Sequence, residues 1–167
     1  HPLLRAEGER GTCRVLCFSP RHDLTLAEMD VEAIERVVAA WQEQMRELGE
    51  RDDTVYVQIF ENKGAMMGCS NPHPHCQIWA NTRLPREVEK EDACQRAYLR
   101  EHDVCLLCDY TKLELEIGER VVYANDHFLV VVPFWALWPF ETLLISREHV
   151  GSLRDLSDAA ARGLADA

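Results

Sequence analysis

The sequence predicts an α+β fold, organised as one unit followed by the opening of a second unit of the same kind. Three observations carry this reading: β-branched and aromatic segments of strand length, capped stretches with helical apolar spacing between them, and a segment that recurs at a constant offset of 127 residues. Cys13 to Ser19, "CRVLCFS", reads as the first strand. Asp30 then caps a helix, because Val31, Ile34, Val37, Val38, Trp41, Met45 and Leu48 follow a 3.6-residue period and leave one apolar stripe to bury. "TVYVQIFEN" has the β-branched and aromatic content of a strand, and a glycine-rich loop from Lys63 to Asn71 delivers the chain into "HPHCQIWA", the next one. After Pro85 the charged stretch "REVEKEDACQRAYLREH" reads as a solvated helix, polar nearly all round. "RVVYAND", "HFLVVVPF" and "FETLLIS" give three further strands, with turn signals at Asn125-Asp126 and between Pro133 and Pro139.

The recurrence matches Ser19 with Ser146, His22 with His149, Leu26 with Leu153, Met29 with Leu156, and the cap Asp30 with the cap Ser157. Both copies run strand, histidine, short linker, capped helix. The expected division is therefore residues 1–100 for the first unit and residues 101–167 for the second. His1 in place of Met, and a last helix that stops in mid-turn, lead us to expect a fragment truncated at both ends.

Composition narrows the function classes. At 167 residues the chain can bury one sizeable core or two small ones. No run of about 18 apolar residues occurs, so no membrane span is expected, and no leader is recognised; a cytoplasmic location is the expectation. A formal charge of −11 argues against nucleic acid as partner, since such proteins carry a basic face that displaces counterions. An anionic small substrate would need donors placed locally. Seven cysteines, an odd number, fit reduced thiols and a metal site better than a paired disulfide framework.

Cys105 and Cys108, in "CLLC", have the spacing with which two thiolates grip one zinc ion, and His149 downstream makes a Cys2His2 site the better reading, with a fourth ligand beyond Ala167. By the repeat, His22 and one of His73 and His75 would belong to an earlier site of the same kind. Glu91 is a further oxygen donor, although among so many helical acids a solvated carboxylate is the simpler reading. Cys13, Cys17, Cys69, Cys76 and Cys94 lack metal spacing and read as core or loop residues.

His73, His75 and Gln77 alternate along one predicted strand, so all three are expected on one face with Cys76 and Ile78 on the other. Proline between the histidines removes a ladder donor, which predicts an edge or bulged strand open to a ligand. Gly64, Gly68, Ser70 and Asn71 in the preceding loop suit a nest of backbone amides for phosphate oxygens. A neutral imidazole is nucleophilic towards phosphorus, and its second nitrogen can donate to a carbonyl that fixes the tautomer. A hydroxyl triad on Ser70 is disfavoured, because no nucleophile-elbow sequence surrounds it.

At these residues, "FENKGAMMGCSNPHPHCQIWAN", the chain closely resembles the galactose-1-phosphate uridylyltransferase family, a branch of the histidine-triad superfamily. The resemblance extends through "CFSP", "WQEQ", "ELG" and "PFWALWPFETLL". It implies a histidine-triad-like antiparallel sheet with flanking helices, and a ping-pong exchange in which UDP-glucose gives its uridylyl group to a histidine before galactose 1-phosphate takes it. His75 would be the nucleophile. His73 and His22 would bind zinc, with the His73 carbonyl orienting the His75 ring, and Gln77 would hydrogen-bond the transferring phosphoryl oxygens. Asn62, Gly68, Cys69 and Ser70 match family positions near phosphate or sugar. The second Cys pair resembles that of members with a second zinc, whereas Glu91 matches a ligand in members with iron. The family also implies a homodimer. Glutamine as the third polar group fits transfer rather than hydrolysis, since an amide donates to phosphoryl charge but delivers no proton to a leaving group. Two other readings remain: an ADP-sugar or dinucleoside-polyphosphate phosphorylase of the same fold, and a non-catalytic nucleotide-binding zinc module.

Overall fold

A computed structural model describes all 167 residues and contains four α-helices and six strands. In the first half, strand β1 (Gly11–Cys17) leads to helix α1 (Val31–Gly49), followed by β2 (Tyr56–Phe60) and β3 (His75–Asn81). The second half comprises α2 (Arg86–His102), α3 (Leu106–Ile117), β4 (Val121–Ala124), β5 (Phe128–Val131), β6 (Leu143–Ser146) and α4 (Asp158–Asp166). Both sheets are antiparallel and three-stranded, in the orders β1-β3-β2 and β4-β5-β6. Mixed helix and antiparallel sheet bear out the α+β class.

The helix starts follow from their caps. Asp30 accepts the Ala33 N–H at 2.7 Å and Ser157 accepts that of Ala160 at 3.2 Å, each satisfying a first-turn donor with no intrahelical partner. The two caps are 127 residues apart, and so are the short 3-10 turns before them, Leu26–Glu28 and Leu153–Asp155. The repeat seen in sequence is thus a repeat of backbone conformation.

Every second residue of β3 faces inward: Cys76, Ile78 and Ala80 are buried with Phe18, Val37 and Leu48 beneath α1. A second small core joins Leu129, Val131 and Ile145 to Leu107 and Tyr110 of α3. Helices α1 and α4 pack together and join the halves. There the Gln42 amide donates to the carbonyls of Leu153 and Leu156 at 3.1 and 3.3 Å, and Arg162 lies 3.6 Å from Glu35.

Two expectations are corrected. Strand β3 is not an edge; it is the centre of its sheet, paired to β1 from Cys17↔His75 and to β2 as far as Phe60↔Gln77. Pro74 is tolerated because it lies just before the ladder, where its missing N–H costs no sheet bond and its carbonyl accepts from Phe18 at 3.1 Å. The strand before β6 is also shorter than predicted. Residues 133–141 form a loop in which the Glu141 carboxylate accepts the N–H groups of Leu137 and Trp138, and Phe140 adopts a left-handed backbone at φ 63°.

Helix α3 was not anticipated. Its two fully buried residues are the polar Thr111 and Glu114, which interrupt the apolar stripe that Leu107 and Tyr110 begin. Glu114 is wholly buried and receives both hydrogen bonds of the Arg120 Nε–H at 3.0 Å. Thr111 returns its hydroxyl to the Leu107 carbonyl.

Leu48 is fully buried where α1 meets the first sheet. Leu48→Ala should lower stability by about 2–5 kcal/mol, the usual cost of lost burial plus a residual cavity. Urea unfolding followed by circular dichroism checks it; a loss under about 0.5 kcal/mol would contradict the packing described.

Candidate functional site

The start of β3 and the loops beside it build the site. His75 is the first ladder residue, and its Nδ1 lies 2.7 Å from the carbonyl oxygen of His73. A carbonyl only accepts, so Nδ1 carries the proton and Nε2 of the neutral ring holds the lone pair. Pro74 contributes to this geometry, because a residue preceding proline is restricted to extended backbone, and that sets the direction of the His73 carbonyl.

His73 itself is not on the strand, contrary to the expectation of three polar groups on one face. Its ring turns back towards β1, with Nε2 2.8 Å from the Ser19 carbonyl and Nδ1 2.7 Å from Nδ1 of His22. The Ser19 carbonyl fixes the proton on Nε2, leaving Nδ1 of His73 as an acceptor aimed at His22. These two nitrogens suit a common metal ion: a carbonyl-anchored imidazole is the usual outer-shell arrangement of a ligating histidine. His75 and Gln77 do share the outer face of β3, opposite Cys76 and Ile78.

A cleft of about 370 Å³ opens over His75, with Thr25, Glu61, Asn62, Lys63 and Cys69 in its walls. Asn62 and Cys69 are therefore placed with the histidines, whereas Gly68, Ser70 and Gln77 lie outside the lining. Gly64 and Gly68 take positive φ, 88° and 80°, and bracket a 3-10 turn at Ala65–Met67. The expected amide nest is smaller than the glycine content suggested. The N–H groups of Met67, Gly68 and Cys69 are already bonded to Gly64 and Ala65 carbonyls inside the turn, and the His73 N–H goes to Asn71.

Sequence reasoning missed three polar residues of the cleft: Thr25, Glu61 and Lys63. The signal for two of them was at hand, since Glu61 and Lys63 flank Asn62 in "FENKG". Partial burial raises the Glu61 carboxyl above its ordinary value, opposed by the charge of Lys63. Thr25 enters through a capping box: its N–H and hydroxyl both donate to Glu28, which lowers that carboxyl.

A second cluster lies in the other half. The ligating atoms of Cys105, Cys108 and His149 fall within 4.8 Å of one another, and Cys108 Sγ is 3.2 Å from Nδ1 of His149. Two sulfurs and one imidazole at this spacing fit a thiolate-rich metal site. Cys105 is the N-cap of α3. Burial opposes its ionisation, but hydrogen bonds from the Cys108 N–H, the Cys108 thiol and the Leu107 N–H prevail and lower it; Cys108 is raised, first by burial and then by Cys105. Glu91 joins neither cluster. It is exposed on α2, near Tyr56, whose phenol is raised by burial and then by the Glu91 charge.

Two family models match successive parts of the chain. The model of the galactose-1-phosphate uridyl transferase N-terminal domain matches residues 1–85, and that of the C-terminal domain matches residues 91–167. The chain is 53% identical over 164 residues to a galactose-1-phosphate uridylyltransferase of Haemophilus influenzae, covering 98% of this chain and 46% of that protein. It is 49% identical to a galactose-1-phosphate uridylyltransferase of Rattus norvegicus, covering 99% of this chain and 43% of the relative. The chain thus spans about half the length of the curated relatives it matches. Among solved structures, a uridylyltransferase superposes with a TM-score of 0.88 at 29% identity, covering 94% of this chain and 49% of that one. An ADP-glucose phosphorylase from Arabidopsis thaliana with bound ADP-glucose gives 0.84 at 29% identity, covering 93% and 48%.

The two thiols of the second cluster should differ in reactivity in metal-free protein. A lowered thiol is more ionised at a given pH, so iodoacetamide should modify Cys105 at a lower pH than Cys108, read by peptide mass spectrometry at a series of pH values. The reverse order would refute the assignment of Cys105 as the thiolate at the helix start.

Proposed function

We propose, from a chain that belongs to the galactose-1-phosphate uridyl transferase family, that this site transfers a uridylyl group between UDP-glucose and galactose 1-phosphate through a covalent intermediate on His75. The observation that carries the reading is the 2.7 Å contact of His75 Nδ1 with the His73 carbonyl, beside an open cleft. Nε2 attacks the α-phosphorus with its lone pair, and the bond to the bridging oxygen breaks with its electrons leaving on glucose 1-phosphate. The ring proton stays on Nδ1, held by the carbonyl, so the positive charge formed on the imidazole is met by a fixed dipole. A phosphate oxygen of galactose 1-phosphate then attacks the same phosphorus and the P–N bond breaks, restoring His75. Gln77, next on that face, would donate to the phosphoryl oxygens, and Asn62 and Cys69 from the cleft wall, with Gly68 and Ser70 from the loop beside it, would contact phosphate or sugar.

Zinc fits both clusters. His22 and His73 would hold one ion, and Cys105, Cys108 and His149 a second; the alternative of iron at a site including Glu91 is disfavoured, since Glu91 is exposed and joins neither cluster. When bound, such ions supply structural crosslinks that orient their ligands. We further propose a homodimer in the cytoplasm, active in galactose metabolism, with the first unit at residues 1–100 and the second at 101–167. No helix is long and apolar enough to cross a membrane.

Two measurements test this. After incubation with UDP-glucose, mass spectrometry should find a uridylyl adduct on His75 and none in His75→Gly; a fully active His75→Gly would overturn the reading. Cys105→Ser with Cys108→Ser should lower the zinc content by about one ion per chain, and unchanged content would remove that cluster from the metal assignment. The similarity to an ADP-glucose phosphorylase supports a second reading, with an ADP-sugar as donor. Competition of UDP-glucose and ADP-glucose for labelling of His75 separates the two.

A further inference from the structure

The chain carries a formal charge of −11, while the substrates proposed above are phosphate anions. An acidic protein repels them at long range, so their capture depends on cationic groups placed at the site. Among the residues lining the cleft over His75, Lys63 is the one lysine or arginine. The cleft histidines have other duties: His73 faces His22 and the Ser19 carbonyl, and His75 Nδ1 is committed to the His73 carbonyl.

Lys63 is an exposed side chain with acidic neighbours. Its charge is felt at two carboxylates, Glu61 in the same wall and Glu28 on the 3-10 turn at Leu26–Glu28. Glu28 is itself fixed, since both donors of Thr25, another wall residue, bind its Oε2 at 3.0 and 2.8 Å. Lys63 is thus the one cationic side chain in the lining that can offset the repulsion between Glu61 and a phosphate anion.

We propose that Lys63 is the specificity-determining residue of this cleft for phosphate monoesters of sugars, binding the phosphate that is not transferred while His75 engages the phosphorus that is. This assignment rests on the uridylyl-transfer reading for its place in the reaction, but its binding content does not. Lys63 would hold the second phosphate of the nucleotide sugar on the way in and the phosphate of the acceptor sugar on the way back. Both are one position in the exchange, because the sugar 1-phosphate leaves and enters by the same route. The selectivity for a phosphorylated acceptor over water or an unphosphorylated sugar would then have a charge component from Lys63, besides the lack of a proton donor at Gln77.

The test uses the purified protein, its Lys63→Ala and Lys63→Arg variants, and glucose 1-phosphate as probe. Calorimetric binding of glucose 1-phosphate to protein not exposed to nucleotide needs no covalent step. Lys63→Ala should weaken it by about 10-fold or more, with Lys63→Arg restoring most of the loss and glucose itself bound equally by all three. In the second arm, discharge of the preformed uridylyl protein by galactose 1-phosphate should show a raised KM in Lys63→Ala with kcat changed far less. Unchanged affinity for glucose 1-phosphate in Lys63→Ala overturns the inference. Weakened binding without any uridylyl adduct in the parent protein keeps the role of Lys63 and discards the transfer reading.

Discussion

The site depends on a hydrogen bond that spans only two residues. A free imidazole exchanges its proton between two nitrogens and rotates about its side-chain bonds, so a useful lone pair is presented to a ligand only part of the time. The bond from His75 Nδ1–H to the His73 carbonyl removes both freedoms. It needs an extended backbone at His73, supplied by Pro74, and a fixed Cα at His75, supplied by pairing with Cys17 at the head of a central strand. His73 cannot drift either, since its ring is tied to the Ser19 carbonyl and to His22. A local motif is thereby rigid because three chain segments meet on it.

Position in the middle of a sheet has a further effect. An edge strand would have offered a ligand its backbone groups; the central β3 offers only side chains on its outer face, while Cys76, Ile78 and Ala80 lock the inner face into the core. Recognition at this site is therefore assigned to side chains and to the loops at the strand's head. The glycine-rich turn contributes walls, having spent several of its amides on its own closure.

What could be read from the sequence was whatever local spacing encodes. The capped start of α1, the span of α2, the inward and outward alternation of β3, and the 127-residue recurrence all rest on contacts within a few positions, and the coordinates match them. The grouping of Cys105, Cys108 and His149 was legible from the Cys pair together with the repeat. What escaped depends on partners remote in sequence. Helix α3 hid because Glu114, wholly buried, is compensated by Arg120 after the helix has ended. The centrality of β3 hid because strand order is not a local property. Alternation alone places His73 on the strand, because it cannot reveal that a ring turns to meet His22, 51 residues earlier.

Helices α1 and α4 begin at equivalent positions of the two repeats and pack on one another, with the Gln42 amide bridging to the turn that introduces α4. Seen this way, the junction is a quasi-twofold contact within a single polypeptide, with like elements meeting like. Two small cores coupled through such a seam cannot melt in turn: loosening either exposes the shared helical surface of both. The expected thermodynamic character is one cooperative transition in which the calorimetric and van't Hoff enthalpies agree, despite the internal duplication.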